Sequence, residues 1–301
     1  MKSIAVLIPC YNEAETITNV VRSFKKYLPN AIVYVYDNCS EDETAKRAKE
    51  AGAIVTIAKD RGKGNVVRRM FADVDADIYI MVDGDSTYSA YDAPKMVEII
   101  KNSSADMVVA ARKERSESAY REGHKFGNKL FNFILKVLFN STFSDIFSGY
   151  RAFSKRFVKT FPVMTNGFDI EAELSIHALT LSIPFAEIES AYFERPANSQ
   201  SKLNTFKDGA KILFSIINLL KETRPLFFFG MISLLMCLLS VGIAYPIIGT
   251  FIETGLVPRL PTAVLSMGIM LISFLSLTCG LILDSISQGR METKKLHYLS
   301  F

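Results

Sequence analysis

Two aspartates that follow an apolar stretch are the residues whose types and spacing most clearly suggest chemistry. Residues 78–82 are apolar, and Asp83, Gly84 and Asp85 come directly after them. A short apolar run that ends in turn formers is typical of a parallel strand covered on both faces. Ligands of such sheets collect at the carboxyl ends of the strands. Carboxylates on either side of a flexible glycine can both reach one hard cation, so the pair predicts a Mg²⁺ or Mn²⁺ site shared with the phosphates of a nucleotide.

The other polar loops of the chain help to distinguish a metal site at Asp83 and Asp85 from an ordinary turn. Asp-Gly is also a common turn dipeptide, and a solvated turn would explain the pair without any metal. However, Glu13 and Asp37 also follow predicted strands, and residues 61–65 form a basic, glycine-rich loop. That loop lacks the spacing and the hydroxyl residue of a Walker A motif, which disfavours an NTPase. No Gly-x-Gly-x-x-Gly follows the first strand, so dinucleotide binding is disfavoured as well.

The segments that would position these loops alternate between the hydrophobic pattern of a strand and that of a helix. Strands are predicted at residues 4–8, 32–36, 53–57, 78–82 and 106–110, with helical patterns between them and a late strand at 185–188. This alternation predicts an α/β fold with a doubly wound, mostly parallel sheet. Ser40 and Glu43 have the spacing of a capping box that would begin the second helix. Residues 112–123 are almost wholly polar and predict a loop long enough to act as a lid.

The last third of the chain has a different composition. Residues 226–252 and 260–283 are apolar, small or weakly polar, and each run exceeds the about 20 residues that span a bilayer. They predict a two-helix transmembrane hairpin, with two buried core helices as the alternative. Residues 206–224 predict an amphipathic helix in the membrane interface. Lys and Arg are concentrated before the first span and after the second, which predicts that both chain ends face the cytoplasm.

Charge and cysteine usage exclude some classes of protein. The 301 residues carry a formal net charge of +4, too modest to suggest nucleic-acid binding. The four cysteines and three histidines have neither metal-ligand nor disulfide spacing. We therefore expect an integral protein of the cytoplasmic membrane without a nucleic-acid partner. The sequence leaves a homo-oligomer open.

Several motifs together carry a resemblance to a known family. They are Ile-Pro-Cys-Tyr-Asn-Glu at residues 8–13, the loop at Asp37, Gly-Lys-Gly at 62–64, Asp-Gly-Asp at 83–85, Ser-Gly-Tyr-Arg-Ala-Phe at 148–153 and Glu-Arg-Pro at 194–196. In this order they resemble family 2 glycosyltransferases of the GT-A fold, in the branch typified by dolichol-phosphate mannose synthase and bacterial polyprenyl-phosphate glycosyltransferases. The branch often has two acids and a glycine at residues 37–39, and often a glutamine at Thr87, so this chain departs from it there.

The resemblance implies roles for particular residues. It places a nucleotide-sugar donor against Pro9, Tyr11, Glu13, Asp37 and Lys63, and metal and diphosphate at Asp83 and Asp85. It implies phosphate contacts for Arg112, Arg195 and Lys202. The residues that it implies for catalysis are Asp83, Asp85, Arg112, Asp145 and Arg151.

We therefore expect a metal-dependent hexosyltransferase that moves one sugar, with inversion, from a nucleotide sugar to a polyprenyl phosphate. The expected domains are a catalytic domain at residues 1–205, the interface helix at 206–224 and the hairpin with a short cytoplasmic tail at 225–301. One alternative is a processive polysaccharide synthase, which is disfavoured by only two spans and by the absence of Trp. The other is a non-catalytic membrane scaffold, which is disfavoured by the retained aspartate pair. The sugar, the flippase and the enzyme that would use the product are not identified by the sequence.

Overall fold

The computed structural model describes residues 2–102, 104–114, 136, 143–164, 170–193, 217–218 and 220–301. The chain divides into two units. The first comprises Met1–Gly209 together with Leu296–Phe301, and the second is Ala210–Lys295. The predicted amphipathic segment at residues 206–224 lies largely outside the described residues.

The first unit is built on a mixed sheet of seven described strands. The strands are β1 (Ile4–Cys10), β2 (Ala31–Asp37), β3 (Ile54–Ile57), β4 (Ile78–Met81), β5 (Met107–Glu114), β6 (Arg151–Ser154) and β7 (Phe185–Tyr192). Their order across the sheet is β3-β2-β1-β4-β6-β5-β7. Only β6 runs antiparallel to its neighbours β4 and β5, and the other pairs are parallel. The expectation of a mostly parallel α/β sheet is confirmed.

Helices connect the strands and cover the sheet. They are α1 (Ile17–Tyr27), α2 (Thr44–Glu50), α3 (Lys63–Asp73), α4 (Ala93–Asn102), α5 (Lys155–Thr160) and α6 (Ile170–Thr180), and a short 3₁₀ turn (Ala90–Asp92) precedes α4. In α1, the residues that recur at helical spacing, Ile17, Val20, Val21 and Phe24, are all buried. The central strands are buried on both faces, as their continuous apolar sequences require.

Three local features differ from the expectations. No capping box forms, because α2 begins at Thr44 with Glu43 as its N-cap and without a side-chain cap bond, while the Ser40 hydroxyl bonds Asp37 instead. Strand β5 continues to Glu114, so Arg112 belongs to the sheet and not to a polar lid. Strand β6 was not anticipated, since only four residues form it and the first is an arginine.

The second unit contains α7 (Pro225–Thr254) and most of α8 (Leu260–Leu299). Both helices are long and apolar enough to cross a membrane, and most of their apolar side chains are exposed. Core helices of a soluble protein would bury that surface, so the membrane hairpin is the better interpretation. Two serine pairs join the helices, Ser233 with Ser273 at 3.0 Å and Ser240 with Ser266 at 3.2 Å between their Oγ atoms. Such small polar residues are typical of close packing between membrane helices.

The last residues of α8, from Leu296, belong to the first unit, and Tyr298 among them is buried. The Tyr298 hydroxyl donates a hydrogen bond to Oδ2 of Asp106. The Arg156 guanidinium lies 4.5 Å from the centre of the Tyr298 ring and bonds the same carboxylate oxygen at 2.5 Å. Asp106 directly precedes β5, so this contact lies at the sheet edge opposite the carboxyl ends of the parallel strands.

Candidate active site

The carboxyl ends of β1, β2 and β4 meet at one edge of the sheet. Cys10 pairs with Asp37 across β1 and β2, and Leu7 pairs with Met81 across β1 and β4. Because β1 has one of these neighbours on each side, its end is a topological switch point, where α/β sheets bind their ligands.

Four predicted site acids converge on one buried thiol at this edge. Burial raises the pKa of Cys10 well above its usual value, and the charges of Glu13, Asp37, Asp83 and Asp85 raise it further. The contacts agree, because the Cβ position of Gly84, between the two aspartates, lies 2.6 Å from Sγ of Cys10 and 3.7 Å from Cβ of Glu13, and Cys10 pairs with Asp37. Acids that follow separate strands in the sequence therefore form a single acidic cluster in the structure.

Hydrogen bonds tie the loop after β1 to the loop after β2. The backbone N–H of Asn12 donates to Oγ of Ser40 at 2.8 Å, and Ser40 in turn donates to buried Asp37. The N–H of Glu13 donates to Oγ1 of Thr44 at 2.8 Å. Neither Glu13 nor Asp37 can therefore shift without disturbing both loops.

The departures from the family pattern at residues 38 and 39 have local explanations. The Asn38 amide donates to the carbonyl oxygens of Ala58 at 3.1 Å and Asp60 at 2.7 Å, and accepts from the N–H of Gly62 at 2.7 Å. A carboxylate could accept from Gly62 but could not donate to the two carbonyls. Cys39 has φ of 60°, in the left-handed region that favours glycine. Position 39 thus has a backbone conformation that suits the glycine of the family pattern, but it carries a cysteine side chain.

Asp85 is fixed in a buried position beside Gly84. Its Oδ1 accepts hydrogen bonds from the Thr87 N–H at 3.1 Å and the Thr87 hydroxyl at 2.6 Å. The Gly84 carbonyl accepts from the Thr16 hydroxyl at 2.6 Å. A Cβ on Gly84 would lie 2.6 Å from Sγ of Cys10, so only glycine fits between the two aspartates.

Lys63 holds Asp83 and also contacts a carboxylate that sequence reasoning missed. The Lys63 ammonium lies 2.5 Å from Oδ1 of Asp83 and also contacts Oε1 of Glu171, at the start of α6. Burial alone would lower the pKa of Lys63, but the two carboxylates outweigh it and raise that pKa. The signal that could have identified Glu171 is its position among the apolar residues Ile170, Ala172 and Leu174, where a solvated acid is unusual.

The donor set fits a cation that is shared with a substrate. Within the described ranges, no group of three or more His, Cys, Asp and Glu side chains could hold a metal ion. Asp83 and Asp85 therefore supply at most two carboxylates. Mg²⁺ commonly binds through one or two carboxylates together with substrate phosphates, and does not need a complete protein cage. The pair fits such an ion, whereas a metal site made only of protein groups does not fit.

A second charged pair lies at the end of β5. Nε and Nη2 of Arg112 donate to the two oxygens of Asp145 at 2.6 and 2.8 Å, and the Arg112 N–H adds a bond of 3.1 Å. This bidentate geometry fixes the plane of the guanidinium. The guanidinium also lies 5.5 Å from the centre of the Tyr192 ring. Arg112 and Asp145, which are remote in sequence, are thus brought together as one unit.

Tyr88 links this pair to the acidic cluster and was also missed from the sequence. Its ring centre lies 5.3 Å from that of Tyr192, and its hydroxyl accepts from the Gly149 N–H at 3.0 Å. Burial raises the pKa of Tyr88, Arg112 lowers it and Asp83 raises it. Tyr88 is therefore connected to both charged groups, through Gly149, which packs against the Asp83 carboxylate, and through Tyr192, over which Arg112 lies.

Arg151 does not have the position expected of a residue that contacts a substrate. Its side chain is 0% exposed, and its guanidinium donates to the carbonyl oxygens of Ser148 at 2.9 Å and of Ile146. Burial lowers its pKa to about 10. Arg151 is a structural residue that shapes the segment carrying Asp145 and Gly149, which corrects its assignment to catalysis.

The remaining predicted residues are placed as follows. Pro9 and Tyr11 are half-buried at the end of β1, on the same edge as the acids. Arg195 and Lys202 lie outside the described residues, so their implied phosphate contacts remain predictions.

Comparisons with known proteins support the motif resemblance. Residues 5–161 match the family model for glycosyl transferase family 2. Glycosyltransferase AglJ of Haloferax volcanii is 29% identical over 299 residues, which cover 99% of this chain and 98% of that protein. The dolichyl-phosphate hexose transferase of the same organism is 27% identical over 221 residues, which cover 73% and 95%.

A solved structure supports the fold. Glucosyl-3-phosphoglycerate synthase from Mycobacterium tuberculosis, in complex with Mn²⁺, uridine diphosphate and phosphoglyceric acid, has a TM-score of 0.59 at 22% identity, covering 73% of this chain and 78% of that chain. At this identity the likeness concerns the fold alone. The family model covers more than half of the sequence and includes the acidic cluster of β1, β2 and β4. The chain is a glycosyltransferase and belongs to glycosyl transferase family 2.

Proposed function

We propose that this glycosyltransferase moves one sugar, with inversion, from a UDP-linked donor to the phosphate of a polyprenyl phosphate at the cytoplasmic membrane face. The observation that carries the proposal is the arrangement of charge along one sheet edge. Tyr88 connects the two charged groups: its hydroxyl accepts a hydrogen bond from Gly149, which packs against the Asp83 carboxylate, and its ring contacts Tyr192, over which the Arg112 guanidinium lies. A metal-bound donor at Asp83 and Asp85 and an anionic acceptor at Arg112 would therefore lie near each other at this edge.

On the donor side, the chain would bind the nucleoside with Pro9, Tyr11, Glu13 and Asp37. The loops that carry these residues are tied together by hydrogen bonds and would present a preformed surface. Asp83 and Asp85 would hold a divalent cation, Mg²⁺ or Mn²⁺, and that cation would neutralise charge on the departing diphosphate. The uridine donor is supported by the UDP bound to the solved relative of the same fold.

On the acceptor side, the chemistry requires positioning more than a base. A phosphate monoester has a second pKa near about 6 and is largely dianionic at neutral pH, so it is already a nucleophile. The Arg112 guanidinium, held in plane by Asp145, would orient that phosphate, and Arg195 and Lys202 would add positive charge. A relative that is named for transfer of hexose to dolichyl phosphate supports this class of acceptor.

The second unit would keep the catalytic unit at the membrane. We propose the domain limits 1–205, 206–224 and 225–301, with both chain ends in the cytoplasm. The turn between the two spans would then face the other side, and a cysteine placed at Thr254 would react with an impermeant thiol reagent in intact cells lacking Cys237 and Cys279. Protection of that cysteine, combined with labelling of one placed at Lys294, would reverse the topology.

The decisive experiment is a transfer assay with the full chain in detergent. Purified protein is incubated with Mn²⁺, a panel of UDP and GDP sugars, and undecaprenyl or dolichyl phosphate, and the lipids are analysed by mass spectrometry. We expect one glycosylated lipid with one donor, and loss of product with excess chelator. Transfer to a free oligosaccharide with no use of either lipid would show that the acceptor class is wrong.

Matched variants test the metal pair in the same assay. Asp85→Asn should remain folded and lose metal-dependent transfer, because an amide cannot supply the anionic oxygen that a hard cation prefers. Asp75→Asn is the control, since Asp75 is exposed and precedes β4, at the opposite end of the same strand. Equal activity of the Asp85 variant and the control would exclude Asp85 as a metal ligand.

A further inference from the structure

A third carboxylate, that of Glu171, shares the Lys63 ammonium with Asp83 of the aspartate pair. The Lys63 ammonium contacts Oδ1 of Asp83 at 2.5 Å and Oε1 of Glu171 on its other side. Only 11% of the Lys63 side chain, 26% of Asp83 and 7% of Glu171 are exposed. One buried cation is thus shared by two anions, and it sits on an oxygen of a proposed metal ligand.

The Asp83 carboxylate has little freedom to avoid Lys63. Its Oδ2 faces Gly149 so closely that a Cβ on that glycine would overlap it. Oδ1 of the same carboxylate is held by Lys63, so both oxygens already have close neighbours. A divalent cation that binds Asp83 would therefore come close to the Lys63 ammonium, and like charges at short range in a largely buried site repel each other strongly.

We infer that Glu171 is a positioning residue that draws Lys63 from Asp83 and so makes Asp83 available to a divalent cation. The inference rests on the proposed function in one respect, the metal-ligand role of Asp83. With Glu171 present, Lys63 keeps a buried anionic partner when the metal arrives. Without it, Asp83 is the remaining partner among the described contacts, and the metal would leave an uncompensated ammonium in a buried site, which is strongly unfavourable. Glu171 thus acts on the metal through Lys63.

A double-mutant cycle on Mn²⁺ affinity tests this inference without any turnover. Binding of Mn²⁺ to the full chain saturated with UDP is measured by the loss of the free-ion signal in electron paramagnetic resonance. We expect Glu171→Gln to weaken binding at least about tenfold and Lys63→Met to strengthen it, since the competing charge is removed. In the Lys63→Met background, Glu171→Gln should change the affinity less than about threefold, because the residue through which it acts is gone.

A control on the same helix separates this effect of Glu171 through Lys63, which we call the relay, from a general effect of removing a negative charge. Glu173 accepts a hydrogen bond from the Met164 N–H at 2.7 Å, and it lies two residues beyond Glu171, so the two side chains do not share a face of α6. Glu173→Gln should leave Mn²⁺ affinity within about twofold of wild type. If Glu173→Gln weakened binding as much as Glu171→Gln, or if the Glu171 effect persisted without Lys63, the inference would be wrong. The Glu173 comparison also decides the question if neither Lys63→Met nor Lys63→Gln folds.

The failures of the two proposals give different results. Wild-type protein that binds no Mn²⁺, with or without UDP, would remove the metal from the proposed function and the relay with it. If the wild-type protein binds Mn²⁺ but the effects of Glu171→Gln and Lys63→Met simply add, the relay alone would be overturned and the proposed function would remain intact.

Discussion

Substitution of Gly149 by alanine should disable the site while leaving the fold largely intact. A Cβ at this buried position would lie 3.0 Å from Cγ and 3.2 Å from Oδ1 of Asp83, and closer still to Oδ2. Carbon and oxygen atoms pack without strain at roughly 3.5 Å, so the Asp83 carboxylate would have to move by about 1 Å. Lys63 opposes that movement, because it holds the other oxygen of the carboxylate.

The size of the effect follows from this displacement. A misplacement of about 1 Å can cost on the order of 100-fold in rate, which corresponds to about 2.7 kcal/mol of transition-state stabilisation. Overpacking by one methyl group typically costs about 1–3 kcal/mol of stability. Since native domains are stable by about 5–15 kcal/mol, Gly149→Ala should remain folded and lose nearly all transfer.

The assay compares sugar transfer and thermal unfolding of the same preparations. Gly242→Ala is the matched control, because nothing lies within 4 Å of the Cβ position at Gly242. We expect this control to transfer sugar at the wild-type rate. Wild-type transfer by folded Gly149→Ala protein would refute the argument, since it would mean that Asp83 can move by about 1 Å without consequence.

Three further substitutions test separate contacts. Gly84→Ala should lower stability by about 1–3 kcal/mol in thermal unfolding, and Cys10→Ala should restore most of it by removing the Sγ that the new methyl group meets; no rescue would show that the strain lies elsewhere. Arg112→Lys keeps the charge but loses the bidentate geometry, so the KM for polyprenyl phosphate should rise at least about tenfold while UDP affinity stays unchanged, and the opposite pattern would assign this residue to the donor. Tyr298→Phe should cost about 1 kcal/mol of stability through its bond to Asp106 and leave kcat unaltered, whereas a fall in kcat alone would give the chain end a catalytic role.

The sequence was informative wherever the chemistry follows directly from a strand. Asp37 and Asp83 each lie at the end of an apolar strand, and parallel strands end at a common edge. Lys63 was assigned through the glycine-rich loop and the family resemblance, and the structure places it at the first position of α3 and not in a loop. The alternation of strand and helix periodicities was sufficient for the parallel strands of the sheet but not for β6, because each period shows which face is buried only in segments long enough to repeat it.

The residues that sequence reasoning missed depend on contacts between distant segments. Glu171 is 108 positions from Lys63 in sequence, and no local pattern shows which cation a buried helix acid will meet. Tyr88 looks like one of several tyrosines until β7 brings Tyr192 to it. The error at Arg151 has a different cause. Arginines are almost never fully buried, so an arginine in a motif that resembles a family is easily taken for a residue exposed in a site.

Burial of Arg151 explains how one short motif can serve both sides of the site. Its guanidinium fixes the carbonyls of Ile146 and Ser148, and the residues adjacent to this pair are Asp145 and Gly149. Asp145 holds Arg112 on the proposed acceptor side, and Gly149 confines the Asp83 carboxylate on the donor side. The buried Arg151 guanidinium thereby sets the distance between Arg112, which would hold the lipid phosphate, and Asp83, which would hold the metal and diphosphate. The segment from Asp145 to Arg151 is therefore functional as a rigid unit, even though its arginine lies too deep to touch either substrate.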